Sequence, residues 1–376
     1  MSPTDEAIRT PVDEKDVNFL DYDGMILYSY TVSEFANLSA LPALPTHTGR
    51  TGIGWNWTLA QINTQLTNCP GSTVWVGAKF KSSDGKTHLL YEIPDSTPSN
   101  RLTVYLRYTQ SVAYGVTVDW GDNSEPESHS TTSAARYSHT YAAPGKYDVA
   151  VTVTDGTVSF IGGDYNTIFG DTSWYFNAVR LKSVVFGDNV LEIGNQTFYG
   201  WYGGDNIYVP TISSTNSTYE FANNGTKTII VDDSNTFVPE SFCRYDFYLR
   251  NISLPSGITE IRRNAFYECY LAKITIPYSV TTIGESAFYA NRSAVKFVIP
   301  AGVTSIGASA FYRCYSAAEY HFLPTTPPTL GSDAFNGIPS DCIIYVPYSA
   351  DHSILNAYQT ADNWSEYATY MQEEPQ

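Results

Sequence analysis

Ile274-Thr-Ile-Pro-Tyr-Ser-Val-Thr-Thr-Ile-Gly-Glu-Ser-Ala-Phe-Tyr289 is the stretch that decides the fold. It runs as an apolar-x-apolar-Pro strand, then Val-Thr-x-Ile, then Ala-Phe. Ile252-Ser-Leu-Pro255 leads in the same way to Ala265-Phe266, and Phe297-Val-Ile-Pro300 to Ala310-Phe311. Weaker copies extend both ways, anchored on Phe176, Phe198, Phe221, Phe242, Phe266, Phe288, Phe311 and Phe335, which are 22, 23, 21, 24, 22, 23 and 24 residues apart. A near-constant period of this length marks stacked units, none of which can bury its apolar face alone.

Spacing inside the unit says how the units stack. From the strand-ending proline to the next phenylalanine the count is 11 at Pro210, Pro255, Pro277, Pro300 and Pro324, whereas from phenylalanine to proline it varies from 11 to 13. One side is therefore held in register and the other tolerates insertion. Ile207/Val209, Ile252/Leu254, Ile274/Ile276, Phe297/Ile299 and Ile344/Val346 alternate with polar positions, the period of a half-buried strand. Val190/Ile193, Ile258/Ile261, Val280/Ile283 and Val303/Ile306 supply a second inward ladder. Gly194, Gly284 and Gly307 follow it, where a turn needs positive φ or a close backbone approach.

The 274–289 stretch resembles the BspA-type leucine-rich repeat, which often carries a cysteine shortly after the phenylalanine, as Cys269 and Cys314 do here. The resemblance covers residues 157–348, strongest over 250–315. It implies a right-handed solenoid with a short strand per repeat, in a family that is mostly non-enzymatic. Glu220-Phe221 and Ser241-Phe242 depart from Ala-Phe, and His321 falls in the apolar column, where a bulged repeat is expected. Residues 349–376 read as an end cap: Asp351 caps a helix bearing Ile354, Leu355, Tyr358 and Ala361, with Trp364 and Tyr367 completing the cover.

Two smaller modules precede the repeats, so the fold class is mainly β throughout. Within 101–156, Asp119-Trp-Gly-Asp122, His139-Thr-Tyr141 and Gly145-x-Tyr147 resemble the polycystic-kidney-disease (PKD) repeat, an immunoglobulin-like β-sandwich that serves as a spacer or adhesive module with its Trp in the core. Asp119, Asp122 and Asp155 are of a type that binds Ca²⁺, although capping a turn is the simpler role. Residues 17–100 begin with Val17-Asn-Phe-Leu-Asp-Tyr-Asp-Gly24 and Ile26-Leu-Tyr-Ser-Tyr30, a strong hairpin signal. Ser33 is placed to cap a short helix. Trp55 and Trp57 should face opposite sides, one toward the core and one toward an interface. This layout is similar to the β-grasp modules of bacterial and phage surface proteins. A strand pair at 73–80 and 87–93, around Asp84-Gly85, bridges to the sandwich.

Composition removes several function classes. The chain has 376 residues, 38 acidic against 21 basic, and a net charge of −17. Phosphate binding needs clustered Lys and Arg, so nucleic acid is excluded as the main partner. No apolar stretch is long enough to insert in a membrane. The polar arm 1–16 lacks a signal peptide's basic and apolar regions, so particle-borne release is expected in place of general secretion. Five cysteines without a C-x-x-C pair read as small buried hydrophobes, not a zinc site. The six histidines form no metal or catalytic motif, and there is no G-x-S-x-G elbow, Walker loop or dinucleotide fingerprint. No catalytic residue, metal or cofactor is expected, and a polysaccharide-degrading enzyme is the remote alternative.

The candidate site is a surface ladder. Residues after each anchor phenylalanine differ between repeats while the framework stays constant: Tyr199, Trp201 and Tyr202; Arg244 and Tyr245; Tyr267 and Tyr270; Tyr289 and Arg292; Tyr312 and Tyr315. Tyr and Arg are typical of binding surfaces because they offer large contact area with a polar tip. Stacked at one repeat spacing they suit sugar rings or a protein edge; the plain structural role is shielding of repeat edges. The expected protein is a bacteriophage virion component (tail fibre, baseplate, collar or head-surface appendage), homo-oligomeric on the particle. It would contact other virion proteins through its N-terminal modules and a host-surface glycan or protein through the solenoid. A bacterial surface adhesin of the same repeat class is the alternative.

Overall fold

The computed structural model describes residues 12–93, 103–160, 180–194, 197–198, 206–213, 221 and 226–376. Val17–Leu20 and Ile26–Tyr30 form the expected hairpin, with Gly24 at φ +79° in its turn. Val74–Ser82 lies parallel to Val17–Leu20 and carries Arg50–Trp55 antiparallel on its other edge, giving a four-stranded mixed sheet. Two short helices pack on it. The first, Val32–Phe35, is capped by Thr31 and not by Ser33: the Thr31 hydroxyl accepts from the Glu34 N–H and the Glu34 carboxylate accepts from the Thr31 N–H. The second, Leu59–Asn68, uses Thr58 and Gln61 in the same reciprocal way. Phe19, Phe35, Trp55, Ile62 and Val76 form a core of their own beneath this sheet.

Val74–Ser82 and Thr87–Ile93 do not pair with each other. Thr87–Ile93 enters the sandwich, where one sheet runs Arg180–Val185, Thr87–Ile93, Gly145–Val153, Val116–Asp119, Glu127–His129. The facing sheet runs Val190–Ile193, Val158–Phe160, Thr103–Gln110, Ala135–Thr140. Trp120 is buried between them, its carbonyl accepting from the Tyr141 hydroxyl at 2.8 Å and its ring stacked on His139. Both sheets end in a strand of the first solenoid coil. Sandwich edges that would otherwise offer unpaired N–H and C=O groups are thus closed by the solenoid, and one continuous apolar core runs from Leu89 to Met371.

The solenoid makes about seven turns. Its parallel strands lie in three sheets. One joins Asn206–Val209, Thr228–Val231 and Asn251–Ser253. A second joins Lys296–Ile299, Glu319–Phe322 and Ile343–Val346. The third carries the second ladder, from Phe237–Val238 through Glu260–Ile261, Thr282–Ile283 and Ser305–Ile306 to Thr329–Leu330. Glycines after this ladder are required by close approach: a Cβ on Gly284 would lie 2.6 Å from the Arg263 nitrogen, and one on Gly307 2.3 Å from that of Glu285. Phe266, Phe288, Phe311 and Phe335 stand in file, buried and stacked at 5.3–5.4 Å. Phe176 lies outside the described residues.

Two register assignments made from sequence are corrected. The peg position of each coil is fixed by an N–H that donates to the alanine carbonyl of the next: Phe266 to Ala287, Phe288 to Ala310, Phe311 to Ala334. In the coil before Phe266 the residue donating to Ala265 is Cys243, not Phe242. Phe242 therefore occupies the alanine position, its ring edge-on to Phe221 (79°), and the irregular steps of 21 and 24 become 22 and 23 when Cys243 is counted as the peg. His321 is not in the apolar column either. Register with Phe297 and Ile299 puts Tyr320 and Phe322 inward, and the extra residue is Leu323, taken up between the strand and Pro324. His321 faces outward between Glu319 and Glu374, stacked on Tyr345.

At the C-terminal end the cap helix is Ser353–Thr360, and its N-cap residue is His352, at φ +57°, not Asp351; the Asp351 carboxylate, one residue earlier, still accepts from the Ser353 N–H. Tyr358, Trp364 and Tyr367 are buried over the last coil, and the Trp364 indole donates to the Pro328 carbonyl at 2.7 Å. Met371–Glu373 then adds a final parallel strand beside Ile343–Val346.

The N-terminal sheet is folded back onto the strand side of the solenoid. Asn56, fully buried, donates to the carbonyls of Val231 and Ser253, and the Trp57 indole donates to Leu254 at 2.7 Å. Residues 274–277 form no strand, and their polar groups are satisfied by this module. Gln65 donates to Ile276 and accepts from the Tyr278 N–H, while the Thr275 hydroxyl donates to the Thr73 carbonyl. Close packing accompanies the polar contacts, since a Cβ on Gly77 would lie 2.4 Å from Ile230. Lys79 pairs with Asp233 at 2.5 Å and with Asp232 at 3.5 Å. Trp57 is thus the interface tryptophan, with the interface inside the chain, and Trp55 is core, edge-on to Phe19.

Candidate binding surface

From Ser241 onward each coil turns after its second-ladder strand through two residues in the left-handed region, four apart: Ser241 and Tyr245, Asn264 and Glu268, Ser286 and Ala290, Ser309 and Arg313, Asp333 and Gly337. Such a conformation costs a non-glycine residue about 1–2 kcal/mol. In the first four of these turns it persists because the two left-handed N–H groups and the peg N–H between them donate to the next coil; in the Ser286 turn the acceptors are Ala308, Ala310 and Tyr312, and in the last turn the peg Phe335 N–H meets the Tyr367 hydroxyl of the cap. Three cross-coil bonds per turn make this the side whose residue count cannot vary. Side chains on it are consequently held one coil apart.

Two outward columns result. The position after the peg holds Arg244, Tyr267, Tyr289 and Tyr312. The Arg244 guanidinium lies 5.0 Å from the Tyr267 ring centre, Tyr267 stacks on Tyr289 at 4.4 Å and 5°, and Tyr289 on Tyr312 at 5.0 Å and 12°. Arg313 lies 5.2 Å from the Tyr312 ring. Burial, with the neighbouring Tyr289 hydroxyl, pushes the Tyr267 phenol up to about 12. Three positions further along runs a second column, Phe247, Tyr270, Arg292 and Tyr315, in which Phe247 and Tyr270 are 5.4 Å apart and Arg292 lies 5.9 Å from the Tyr315 ring. Tyr315 and Tyr248 are each about half exposed (51% and 54%), and Phe247 is 41% exposed.

Of the eleven residues expected from sequence, Tyr199, Trp201 and Tyr202 lie outside the described residues. The rest fall into the two columns except Tyr245, which occupies the left-handed position and packs edge-on to Tyr267 at 5.5 Å. Stacking changes what the first column can offer. Tyr289 has both faces covered by its neighbours, so a sugar ring cannot lie flat on it, and the column presents ring edges and hydroxyls bracketed by arginines. Arg313, Phe247 and Tyr248 were missed. Phe247 occupies the position of Tyr270, Arg292 and Tyr315 once the coil is registered on Cys243 in place of Phe242.

Beneath the columns, the inward position of the same turn holds Asp246, Cys269, Asn291, Cys314 and Ile338, all buried. All five cysteines are buried free thiols, and burial pushes that of Cys314 up to about 12, far from nucleophilic. The Asp246 carboxyl accepts from the Tyr248 and Leu249 N–H groups through Oδ1, while Oδ2 has no partner, and burial pushes it up to about 8. In the sandwich, Asp119 accepts from the Gly121 N–H, and Asp122 accepts from Ser124 and faces His139 at 2.7 Å. These carboxylates cap turns. Each of the six histidines lies against a carboxylate. Among the described residues no three His, Cys, Asp or Glu side chains converge to hold a metal ion.

The family model for the BspA type leucine rich repeat region matches in six copies across residues 167–294 and 236–359, together just over half of the chain. Among solved structures, the T. pallidum leucine-rich repeat protein aligns over 45% of this chain and 85% of its own, with 20% identity and a TM-score of 0.29. None of the curated proteins matches.

Proposed function

The chain belongs to the BspA-type leucine-rich repeat family, and from that premise we propose that it is a non-enzymatic binding protein carried on a bacteriophage particle. Its turn face is directed at a host-surface glycan or protein. The observation that carries the binding role is the contrast between the two long faces of the rod. The strand side of the coils from Val231 to Tyr278 is covered by the N-terminal module, whereas the turn side presents ordered tyrosines and arginines. Large aromatic side chains held in place by a rigid frame lose little entropy on binding. The sequence resemblance of the N-terminal modules to PKD and β-grasp repeats is what favours the particle setting, where they would join other virion proteins; a bacterial surface adhesin is the second setting.

Tyr315→Ala tests the binding role. The ring is about half exposed and lies 5.9 Å from Arg292. The variant should keep the wild-type melting temperature and lose adhesion to cells that the wild type decorates. Destabilisation as large as that of a core substitution would make the ladder structural. The particle setting is tested separately, by mass spectrometry of purified virions; their lacking this chain would leave the cellular adhesin.

A further inference from the structure

Residues 244–313 hold eight basic side chains against four acidic ones, the reverse of the balance over the whole chain. In a chain of net charge −17, six of the twelve arginines fall between residues 244 and 313. Arg262 and Arg263 are paired with Glu260 and Glu285 on the neighbouring side of the coil. Arg292 and Arg313 are exposed, and among the described residues neither forms an ion pair; each lies instead beside tyrosine rings of the columns, at 5.9 Å and 5.2 Å. Arg313 stands among Tyr289, Tyr312 and Tyr315. Two cations left unpaired on an acidic protein, within a row of phenol hydroxyls, form a site for negative charge.

Resting on the reading of this face as the binding surface, we propose that its ligand is an acidic polysaccharide bearing a carboxylate on its repeating sugar. The argument is one of period as well as sign. From Arg244 to Tyr312 the first column steps from coil to coil at 4.4–5.0 Å, so the best partner repeats along its own length, as a linear glycan does and a folded protein surface does not. Arginines take the carboxylates. Tyrosine hydroxyls and ring edges, the parts of the stack left open, meet the sugar hydroxyls. Glu268, two coils from Arg313, is the adverse charge.

The test measures binding of the full chain to three probes: polygalacturonate, its methyl ester (the same backbone without charge) and poly-L-glutamate. Polygalacturonate should bind best. Its affinity should fall as salt is raised from about 0.15 M to about 1 M, where the Debye length shrinks from about 8 to about 3 Å. Arg292→Gln/Arg313→Gln should weaken it about tenfold, about 1.4 kcal/mol, with an unchanged melting temperature, and Glu268→Gln should strengthen it. Equal binding of the methyl ester, or no effect of the arginine pair, would overturn the acidic-ligand inference while leaving surface binding intact. Preference for poly-L-glutamate would assign the face to an acidic protein, and failure to bind any probe would also overturn it. Tyr270→Ala/Tyr315→Ala should weaken binding of polygalacturonate and any residual binding of the ester alike; that variant without effect would remove the ladder itself.

Discussion

Exchanging two adjacent residues, Phe242→Ala with Cys243→Phe, tests the registration of the solenoid directly. Cys243 occupies the peg position, and Phe242 the position that Ala265, Ala287, Ala310 and Ala334 fill in later coils. Phe242 is fully buried, so Phe242→Ala alone leaves a ring-sized hole and should cost about 3–5 kcal/mol. Cys243→Phe alone adds a second ring beside the first and should cost about 1–3 kcal/mol by overpacking. Additivity would put the double variant about 4–8 kcal/mol down. The exchange instead rebuilds Ala-Phe on a backbone that accepts it in four other coils, with the new ring free to stack on Phe266 as Phe288 does on Phe311 at 5.3 Å. A volume-conserving repacking costs less than about 1.5 kcal/mol, so a coupling of at least about 2.5 kcal/mol is expected. Urea midpoints of the four proteins, at unchanged m, measure it. A double variant that loses the sum of the singles would refute the registration on Cys243.

Asp246→Asn should change how stability depends on pH. The folded carboxyl is held near 8 by burial against an ordinary value of 3.8, so between about pH 4 and pH 8 the folded state binds the extra proton and stability falls as pH rises, by up to about 1.4 kcal/mol per unit. Asn291 shows that the turn accepts an amide at this position, and the variant's excess stability should grow from pH 5 to pH 8 in urea titrations. His88, raised by Asp148 and Asp84, also gives up stability above its unfolded value of 6.5, so only the difference between the two proteins isolates Asp246. Gly77→Val should undock the N-terminal module, read as new proteolytic cleavage near residues 83–86 with both cores still folded; unchanged protection would contradict the close approach to Ile230. Ile283→Asp should leave the protein unfolded or aggregated on expression, because an unpaired buried charge costs several kcal/mol, and a soluble variant with a wild-type melting curve would contradict its place in the second ladder.

Period, columns and cap were legible in the sequence because each is written in side chains that repeat or cluster. Phe242 misled because a search by side chain aligns rings, while the coil is registered by backbone N–H groups, and Cys243 bears no mark of a peg. Docking of the N-terminal module left only the interface tryptophan as a trace, for a similar reason. Asn56, Trp57 and Gln65 address backbone carbonyls of Val231, Ser253, Leu254 and Ile276, and a carbonyl carries no sequence. The strand Met371–Glu373 is too short to alternate visibly. In the candidate site, the tyrosines after each peg were legible as a ladder; that their faces are spent on one another was not, since ring orientation follows from the 4.4–5.0 Å coil spacing and not from residue type.

The end cap closes the rod without reference to how many coils lie behind it, and the N-terminal module is hydrogen-bonded to coils as far as Tyr278, with Gly71 approaching Lys296 in the next. Between those two fittings the molecule is a ruler with graduations of about 4.8 Å, the spacing of neighbouring strands. A duplicated unit spliced in after Phe311 would lengthen reach and add one more rung for a partner, with neither fitting disturbed. Evolution can therefore tune grip by counting, leaving the chemistry of each rung as it stands.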